Sequence, residues 1–439
     1  MIRAAMITQK KSGLYIRYII EYIRVKDMSF LTNKKILFMI ILISLSIDVF
    51  AFVYHEKKVK GEEISEEPAS YPEVEELSRT TFSFSQLEEY FRLLAEKKGG
   101  EYAYKVLKIA PIVPGTDLHL LGHVVGEVLY KQKGIDAIKV CTDDFRNACS
   151  HTVVVGLLLD HGENVLSDIA KVCREAPGGR MAYSICYHGL GHGVLAFTGY
   201  DLPKAVELCK KTNPKTSGSE FPECVGGAIM EIDSGGGHDR QTWLKQSKKY
   251  LKAEDPLFPC MSNFMPKEAQ KLCLIYLSPH LFKIAGNIRG TPSDIQIEKA
   301  FFYCEKLPDS NREGRDACFG GFGKEFVVLA KARDIRNISN MTDEELTQVY
   351  TWCSLATNEE GRRSCIRYAL GSLYWGGTNG YEKPLRFCNI VDDQKDQGVC
   401  FSTVIGLVRT FREGVDTKTF CQKLPSSYRT QCEKSFDSG

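Results

Sequence analysis

The chain has 439 residues, with 57 Lys and Arg against 55 Asp and Glu, 43% hydrophobic residues and 16 cysteines. The net charge of +2 gives no sequence-wide footprint for nucleic-acid binding, and the hydrophobic content is too high for a disordered chain. Sixteen cysteines are too many for a reduced cytosolic domain without metal clusters, whereas an even number suits a complete set of disulfides. The composition therefore indicates an exported protein that binds no nucleic acid.

One segment near the amino terminus, residues 36–54, is apolar and just long enough to span a bilayer. It predicts either an uncleaved transmembrane signal-anchor, in which Asp48 would be costly, or a signal peptide cleaved after Ala51. The basic segment 1–35 is expected to stay in the cytoplasm. The protein is therefore expected to contact the membrane through this segment. It is membrane-anchored with an extracytoplasmic carboxyl-terminal domain, or secreted if the segment is cleaved.

The region after this segment changes in composition. Residues 55–81 are polar and rich in acidic residues, which predicts a flexible linker. Residues 82–439 contain all of the cysteines and are expected to form the folded ectodomain.

The cysteines fall into consecutive pairs that repeat along the chain. The predicted disulfides are Cys141–Cys149, Cys173–Cys186, Cys209–Cys224, Cys260–Cys273, Cys304–Cys318, Cys353–Cys365, Cys388–Cys400 and Cys421–Cys432. The first cysteines of successive pairs are 32 to 51 residues apart, which is typical of a stacked-repeat protein. Zinc binding by the cysteines is not favoured, because no CxxC occurs.

Each repeat has the same order of segments. The first cysteine ends an apolar helical run, a polar loop follows, and the second cysteine begins another apolar run. A cysteine-free unit precedes the first pair, and Asp117 is expected to cap its second helix. Because a two-helix unit cannot bury its apolar face alone, the units are expected to stack. The predicted fold is all-α: an α-α superhelix, or solenoid, of about nine helical hairpins, eight of them with an internal disulfide.

A further position recurs three residues before the second cysteine. It is occupied by Arg146, Gln270, Arg315, Arg362, Gln397 and Arg429. These side chains are expected to bind loop carbonyl groups. Helical repeats with two cysteines each resemble the cysteine-rich relatives of Sel1-type repeats, but the variable period and cysteine gap here assign no family.

Five histidines form a pattern in the first three units. They are His119, His123, His151, His188 and His192. In each unit a histidine stands two residues after the second cysteine, or after Asp117 where that cysteine is missing. Two units carry another histidine four residues later, which is about one helical turn. Matched positions on successive helices line one surface, so the five imidazoles are expected to converge on the concave face.

Acidic residues extend this pattern. Glu127 stands four residues after His123, and Glu231, His280 and Glu325 each stand seven residues after the second cysteine of their unit. Glu127 and Glu231 are included among the candidate metal ligands, and either is a candidate general base if the site is catalytic.

Glycines interleave two of the histidines in the sequence CYHGLGHG, which contains Gly189, Gly191 and Gly193. Glycine costs a helix about 0.5–1 kcal/mol relative to alanine, so close approach of a ligand or flat cofactor would explain these residues. Tight packing between helices explains them equally, because glycine pairs recur in units without histidine.

Imidazoles near carboxylates are the ligand set of Zn, Cu or Fe sites, and two imidazoles also hold a haem. The first hypothesis is therefore an extracytoplasmic protein that binds a transition metal or haem through this histidine cluster. If it is an enzyme, it is a His-ligated metalloenzyme, although no HExxH, Walker A or GxSxG motif occurs. The second hypothesis is a non-catalytic scaffold whose concave groove binds a protein, peptide or glycan partner.

Overall fold

The computed structural model describes the following parts of the chain: residues 71–141, 144–176, 179–212, 218–234, 239–286, 290–375, 380–411 and 415–437. Within them all regular secondary structure is helical, with 21 α-helices, three 3-10 helices and no β-strand. The predicted all-α class is confirmed. The predicted segments 1–35 and 36–54 lie outside the described residues. None of the described helices combines the length and the apolar character needed to cross a bilayer.

The helices are numbered here in chain order. The first eleven are α1 (Pro72–Arg79), α2 (Phe84–Lys98), α3 (Gly100–Ile109), α4 (Leu118–Lys133), α5 (Asp144–His161), α6 (Leu166–Glu175), α7 (Gly179–Phe197), α8 (Leu202–Thr212), α9 (Glu220–Ser234), α10 (Arg240–Tyr250) and α11 (Phe258–Met261). The others are α12 (Lys267–Tyr276), α13 (Ser278–Ile284), α14 (Asp294–Glu305), α15 (Arg312–Ala330), α16 (Asp343–Ser354), α17 (Glu359–Trp375), α18 (Glu382–Ile390), α19 (Gln394–Thr410), α20 (Thr417–Lys423) and α21 (Ser426–Asp437). The 3-10 helices are Gly134–Lys139, Gly162–Val165 and Ile335–Asn340.

Polar caps explain several helix boundaries. Ser83 and Gln86 form a reciprocal capping box at the start of α2, and Thr342 and Glu345 form another at the start of α16. The carboxylate of Asp117, the predicted cap of α4, accepts a backbone N–H of the first turn. The cysteine-free unit therefore begins its second helix with a side-chain cap where the other units have a disulfide.

The predicted linker 55–81 ends earlier than expected, because Pro72–Arg79 form helix α1. Leu77 is buried in the core, and Glu73 accepts a hydrogen bond of 2.6 Å from Lys98. Within α1, one of the acidic residues that predicted a flexible segment instead forms an ion pair with the folded unit.

All eight predicted cysteine pairs are disulfides in the structure, with Cα–Cα distances of 5.4–5.6 Å. Each links nearby helical segments across a short loop. In the simple chain-entropy model, a crosslink over a loop of this length stabilises the folded state by about 2.5–3 kcal/mol.

The second helix of each unit packs against the second helix of the next unit. In chain order these inner helices are α4, α5, α7, α9, α12, α15, α17, α19 and α21. Their facing sides form a continuous apolar core, in which residues such as Phe319, Phe322 and Phe326 are fully buried. Packing of successive units therefore buries the face that a single hairpin would leave exposed.

Contacts between distant parts of the chain bring the early units against the later ones. The backbone N–H of Gly115 donates to the carbonyl of Ala332 at 2.7 Å. The Arg146 guanidinium donates to Ser372 Oγ at 2.9 Å, across 226 positions in the sequence. The inner helices from α4 to α17 consequently line a common cavity.

The recurring Arg/Gln position has two different roles. In three units the side chain donates to loop carbonyls as predicted: Arg315 to Leu307, Gln397 to Val391, and Arg429 to Leu424. Arg362 instead pairs with the buried Asp396. Arg146 donates to no loop carbonyl of the described residues and faces the cavity. The predicted structural role therefore holds for half of the six residues.

Candidate metal centre

The five histidines lie on three adjacent inner helices, with His119 and His123 on α4, His151 on α5, and His188 and His192 on α7. Their rings meet in one group, called here the histidine cluster. Pairs of ring centroids lie between 4.6 and 5.8 Å apart, and each ring contacts at least two others. The helical register thus brings together residues that are far apart in sequence.

Three of these residues place their ligand atoms closest together. One ring nitrogen from each of His119, His123 and His151 lies within 4.8 Å of the other two. The Nε2 atoms of His119 and His123 are 3.1 Å apart. His119 Nδ1 lies 2.6 Å from the Phe145 carbonyl oxygen. Because a carbonyl only accepts, Nδ1 carries the proton and the lone pair of neutral His119 is on Nε2, towards His123.

His151 occupies the centre of the cluster and contacts the rings of the other four histidines. Only 2% of its surface is exposed. Neither of its ring nitrogens has a hydrogen-bond partner among the described residues. Burial holds the pKa of His151 well below its usual range, and the neighbouring imidazoles lower it further. Burial also lowers the pKa of His119, to about 4, although Asp117 and the Phe145 carbonyl oppose this shift. Both imidazoles are therefore neutral at pH 7, which is the metal-binding form.

His192 is oriented by a buried carboxylate. Its Nδ1 lies 3.0 Å from Glu231 Oε2, and Tyr200 donates its hydroxyl to Oε1 of the same residue at 3.3 Å. With the proton on Nδ1, the Nε2 lone pair is free, and that buried atom has no hydrogen-bond partner among the described residues. A carboxylate that orients an imidazole in this way is common around protein-bound metals.

His188 lies at the edge of the cluster, beside the cavity. Its ring is 4.4 Å from the Tyr276 ring, and its Nδ1 is 3.9 Å from Glu223 Oε2. Burial, together with His192 and Lys324, holds the pKa of His188 well below its usual range. The Glu223 side chain keeps 19% of its surface accessible, yet burial raises its pKa to about 8. This edge of the site is therefore largely uncharged at pH 7.

Close approach of the helices explains the glycines around the cluster. A Cβ atom on Gly189 would lie 2.6 Å from the Cα atom of His151. A Cβ atom on Gly227 would lie 1.8 Å from the carbonyl oxygen of His188. Any side chain at these positions would push neighbouring helices apart. The packing interpretation is therefore sufficient for these two glycines, without a flat cofactor against the backbone.

The start of α5 contains an unusual backbone turn. Phe145, Arg146 and Asn147 have φ angles of 53°, 54° and 61°, in the left-handed region that non-glycine residues rarely adopt. Each such residue costs on the order of 1 kcal/mol or more, and such strain is concentrated at functional sites. The turn aims the Phe145 carbonyl at His119 and places Arg146 and Asn147 on the cavity wall.

The cavity adjoins the cluster and has a volume of about 570 Å³. His119, His151 and His188 form one side of it, and α12, α15 and α17 contribute the other side. Lys324 pairs with Glu325 at 2.6 Å and lies over the Tyr276 ring. The size of the cavity is in the range of small-molecule binding sites.

The polar residues predicted to extend the cluster do not all lie next to it. Glu127 does not lie where the sequence predicted it. Its side chain is 39% exposed and pairs with Lys131, so it is a surface residue outside the group of metal-ligand atoms. Glu231 contacts the cluster through His192 and does not belong to the closest three-residue group. His280 is buried beside Asp233, whereas Glu325 lines the cavity.

Sequence reasoning missed Glu223 and Tyr276, which line the cavity next to His188. Both are close to the second cysteine of their units, one residue before Cys224 and three residues after Cys273. The cysteine spacing could therefore have indicated both residues, because positions around the second cysteine face inward in several units.

No protein-family model matches this chain, and neither curated proteins nor solved structures show a match to it.

Proposed function

We propose that this protein is an exported helical-repeat protein that binds a transition-metal ion through His119, His123 and His151, with His192 as a fourth ligand. The observation that carries the proposal is the central position of His151, with both ring nitrogens buried and without hydrogen-bond partners among the described residues. A buried polar atom without a partner is costly, and a metal ion would satisfy it. The eight disulfides support the extracytoplasmic location.

The spacing of the nitrogens supports a compact ion. Two ligands of a tetrahedral ion with metal–nitrogen bonds of about 2.0–2.1 Å lie about 3.3–3.4 Å apart. The two Nε2 atoms of His119 and His123 are 3.1 Å apart. Because the proton of His119 is on Nδ1, His123 Nε2 must donate to His119 Nε2 in the metal-free protein, and binding of the ion would move the His123 proton to Nδ1. Zn, Cu and Fe all accept imidazole ligands.

The surroundings of the ligands also support a metal site. The Phe145 carbonyl fixes the tautomer of His119, and Glu231 fixes that of His192. In both residues the lone pair remains on Nε2. Such partners orient the imidazoles and raise their basicity.

The ring contacts favour an ion over a haem. A haem held by two axial imidazoles needs its ligands on opposite faces of a macrocycle. Seven of the ten pairs of rings in the histidine cluster are in contact, so none of these seven pairs has space for a macrocycle between its members.

We also infer that the stacked hairpins form an α-α superhelix that closes on itself around the cavity. The sequential packing of the inner helices and the hydrogen bond from Arg146 to Ser372 support this arrangement.

A cavity of about 570 Å³ suits a small molecule better than a protein, peptide or extended glycan, so the scaffold hypothesis is the weaker one. A bound ion beside such a cavity would act as a Lewis acid or lower the pKa of a bound water, as in a His-ligated metalloenzyme. We also propose that residues 36–54 direct export, either as a membrane anchor or as a signal peptide that is cleaved.

The test is the metal content of the full-length, disulfide-oxidised protein, purified without a histidine tag and measured by mass spectrometry. We expect one ion per chain in the wild type and its loss in His151→Ala and in the half-buried His123→Ala. His161→Ala, at the exposed end of the same helix as His151, is the matched control and should keep the ion. Circular dichroism checks that each variant folds.

Two results would contradict the proposal. One is a wild-type protein that holds no ion and binds no added Zn²⁺, Cu²⁺ or Fe²⁺. The other is a folded His151→Ala variant with unchanged metal content. A visible absorption band of haem that disappears in the same variants would favour the haem alternative.

A further inference from the structure

Arg146 departs from the pattern of its own repeat position. In three other units the equivalent side chain binds a loop carbonyl, as Arg315 does with Leu307 at 3.1 Å. The left-handed turn at the start of α5 instead places Arg146 on the cavity wall. Its guanidinium donates to Ser372 Oγ at 2.9 Å and forms no ion pair with any described residue.

None of the carboxyl groups that line the cavity forms a direct ion pair with Arg146. Four line the wall: Asp117, Glu223, Asp316 and Glu325. Glu325 pairs with Lys324, and Asp316 pairs with Arg367. Asp117 caps α4, and Glu223 lies beside His188. A mostly buried guanidinium without its own counter-charge is costly, and an anion in the cavity would offset that cost.

The remaining wall is largely aliphatic. It includes Met181, Ile185, Met230, Leu272, Val328 and Ile335. Two further cations, Lys271 and Arg333, line the same wall as Arg146. The combination of these cations with an apolar wall matches a ligand that has a charged head and an apolar body. The volume of about 570 Å³ is far larger than an inorganic ion needs.

We propose that this cavity binds a small organic anion, with a carboxylate or phosphate head on Arg146 and Ser372 and an apolar body against the aliphatic wall. Arginine presents a planar fork of donors that suits both head groups. The anion would lie beside His151 and His188, next to the proposed metal centre. Arg146 itself needs no metal ion, so this site is separable from the metal proposal.

The test uses three probes of similar shape with the full-length protein: benzoate, phenyl phosphate and the neutral benzamide. Isothermal titration calorimetry is run on metal-free and on Zn²⁺-treated protein. We expect one or both anions to bind and benzamide to bind at least tenfold more weakly in both preparations. The comparison of benzoate with phenyl phosphate identifies the preferred head group.

Two variants test the location. Arg146→Gln removes the cation and should weaken binding of the anion by about 10- to 100-fold. Gly371 lines the cavity on α17, and a Cβ atom there meets no atom within 4 Å, so Gly371→Leu should fill the cavity without disturbing the helix. Their matched controls are Arg79→Gln, which changes an exposed side chain of α1, and Gly406→Leu on α19, where a Cβ atom also meets no neighbour. Both controls should bind like the wild type.

The proposal is overturned if neither anion binds more tightly than benzamide, or if a folded Arg146→Gln variant binds as tightly as the wild type. It is also overturned if the anion binds only to Zn²⁺-treated protein. Metal content separates the two proposals. If the protein takes up no metal but binds the anion through Arg146, only the metal proposal is removed. If the protein is loaded with metal but has no affinity for the anion, only the anion proposal is removed.

Discussion

Substitution of Gly189 by alanine tests how closely α5 and α7 approach each other at the histidine cluster. The added Cβ atom would lie 2.5 Å from Cδ2 and 2.6 Å from Cα of His151. Because Cα belongs to the backbone, a rotamer change of His151 cannot relieve the overlap, and the two helices must separate. Overpacking of this kind costs about 1–3 kcal/mol, and contact with backbone places it in the upper part of that range. Alanine recovers about 1 kcal/mol of helix propensity, so we expect a net loss of about 1–2 kcal/mol.

The assay is urea unfolding of the oxidised, metal-free protein, followed by circular dichroism. Gly406→Ala is the control, because the added Cβ atom meets nothing within 4 Å and helix propensity alone should stabilise it by about 0.5–1 kcal/mol. The denaturation midpoint should therefore fall for Gly189→Ala and rise for Gly406→Ala. Since His151 moves with its helix, Gly189→Ala should also weaken Zn²⁺ binding. A midpoint for Gly189→Ala at or above that of the wild type would refute the close approach of the two helices.

Three further predictions concern single features of the site and the fold. Glu231→Leu removes the acceptor for His192 and should weaken metal binding about 10- to 100-fold in a chelator competition. Glu231→Gln keeps an acceptor oxygen and should have a smaller effect. Equal metal affinities for the wild type and both variants would contradict this role of Glu231. Burial raises the folded-state pKa of Glu223 to about 8 from 4.5, so the wild type should lose stability as the pH rises through this window. Glu223→Gln should therefore be more stable than the wild type at pH 8 by on the order of a few kcal/mol and similar at pH 4, and a constant difference between these pH values would argue against the shift. The double variant Cys304→Ala/Cys318→Ala opens a crosslink across 14 positions and should lose about 3 kcal/mol, which a thermal melt would detect; an unchanged melting temperature would show that the disulfide adds no stability.

The disulfides and the inward face of the second helices could be predicted because both depend on local periodicity. The cysteine spacing defines each unit, and positions measured from the second cysteine of each unit recur on equivalent helix faces. The histidines of three units could therefore be expected on one surface, and their rings lie in contact there.

The curvature of the stack could not be predicted from the same pattern. It is the sum of small rotations between neighbouring units, and none of these is encoded by one recognisable residue. The concave face expected from the sequence lines a cavity, and the hydrogen bond from Arg146 to Ser372, both on its wall, could not be foreseen. The left-handed turn at Phe145 and Asn147 could not be predicted from the sequence either, since neither residue is a glycine. Glu127 was misplaced because helical spacing of four residues keeps a side chain near the same face only approximately.

One register position shows how the repeat could acquire a specific site. The residue two places after the second cysteine, or after Asp117, lines the cavity in five units: it is His119, His151, His188, Ile275 and Arg367. In two other units this residue is a glycine, and the space is taken by a tyrosine from the next inner helix, Tyr276 against Gly226 and Tyr368 against Gly320. The same backbone position thus lies at the cavity wall in each of these units, while its side chain is an imidazole, an aliphatic group, a guanidinium group or, in glycine, absent. Because the core residues and disulfides that hold the stack are at other positions, the chemistry of the wall can vary with little cost to the fold. This separation explains how the histidine cluster is confined to the first three units.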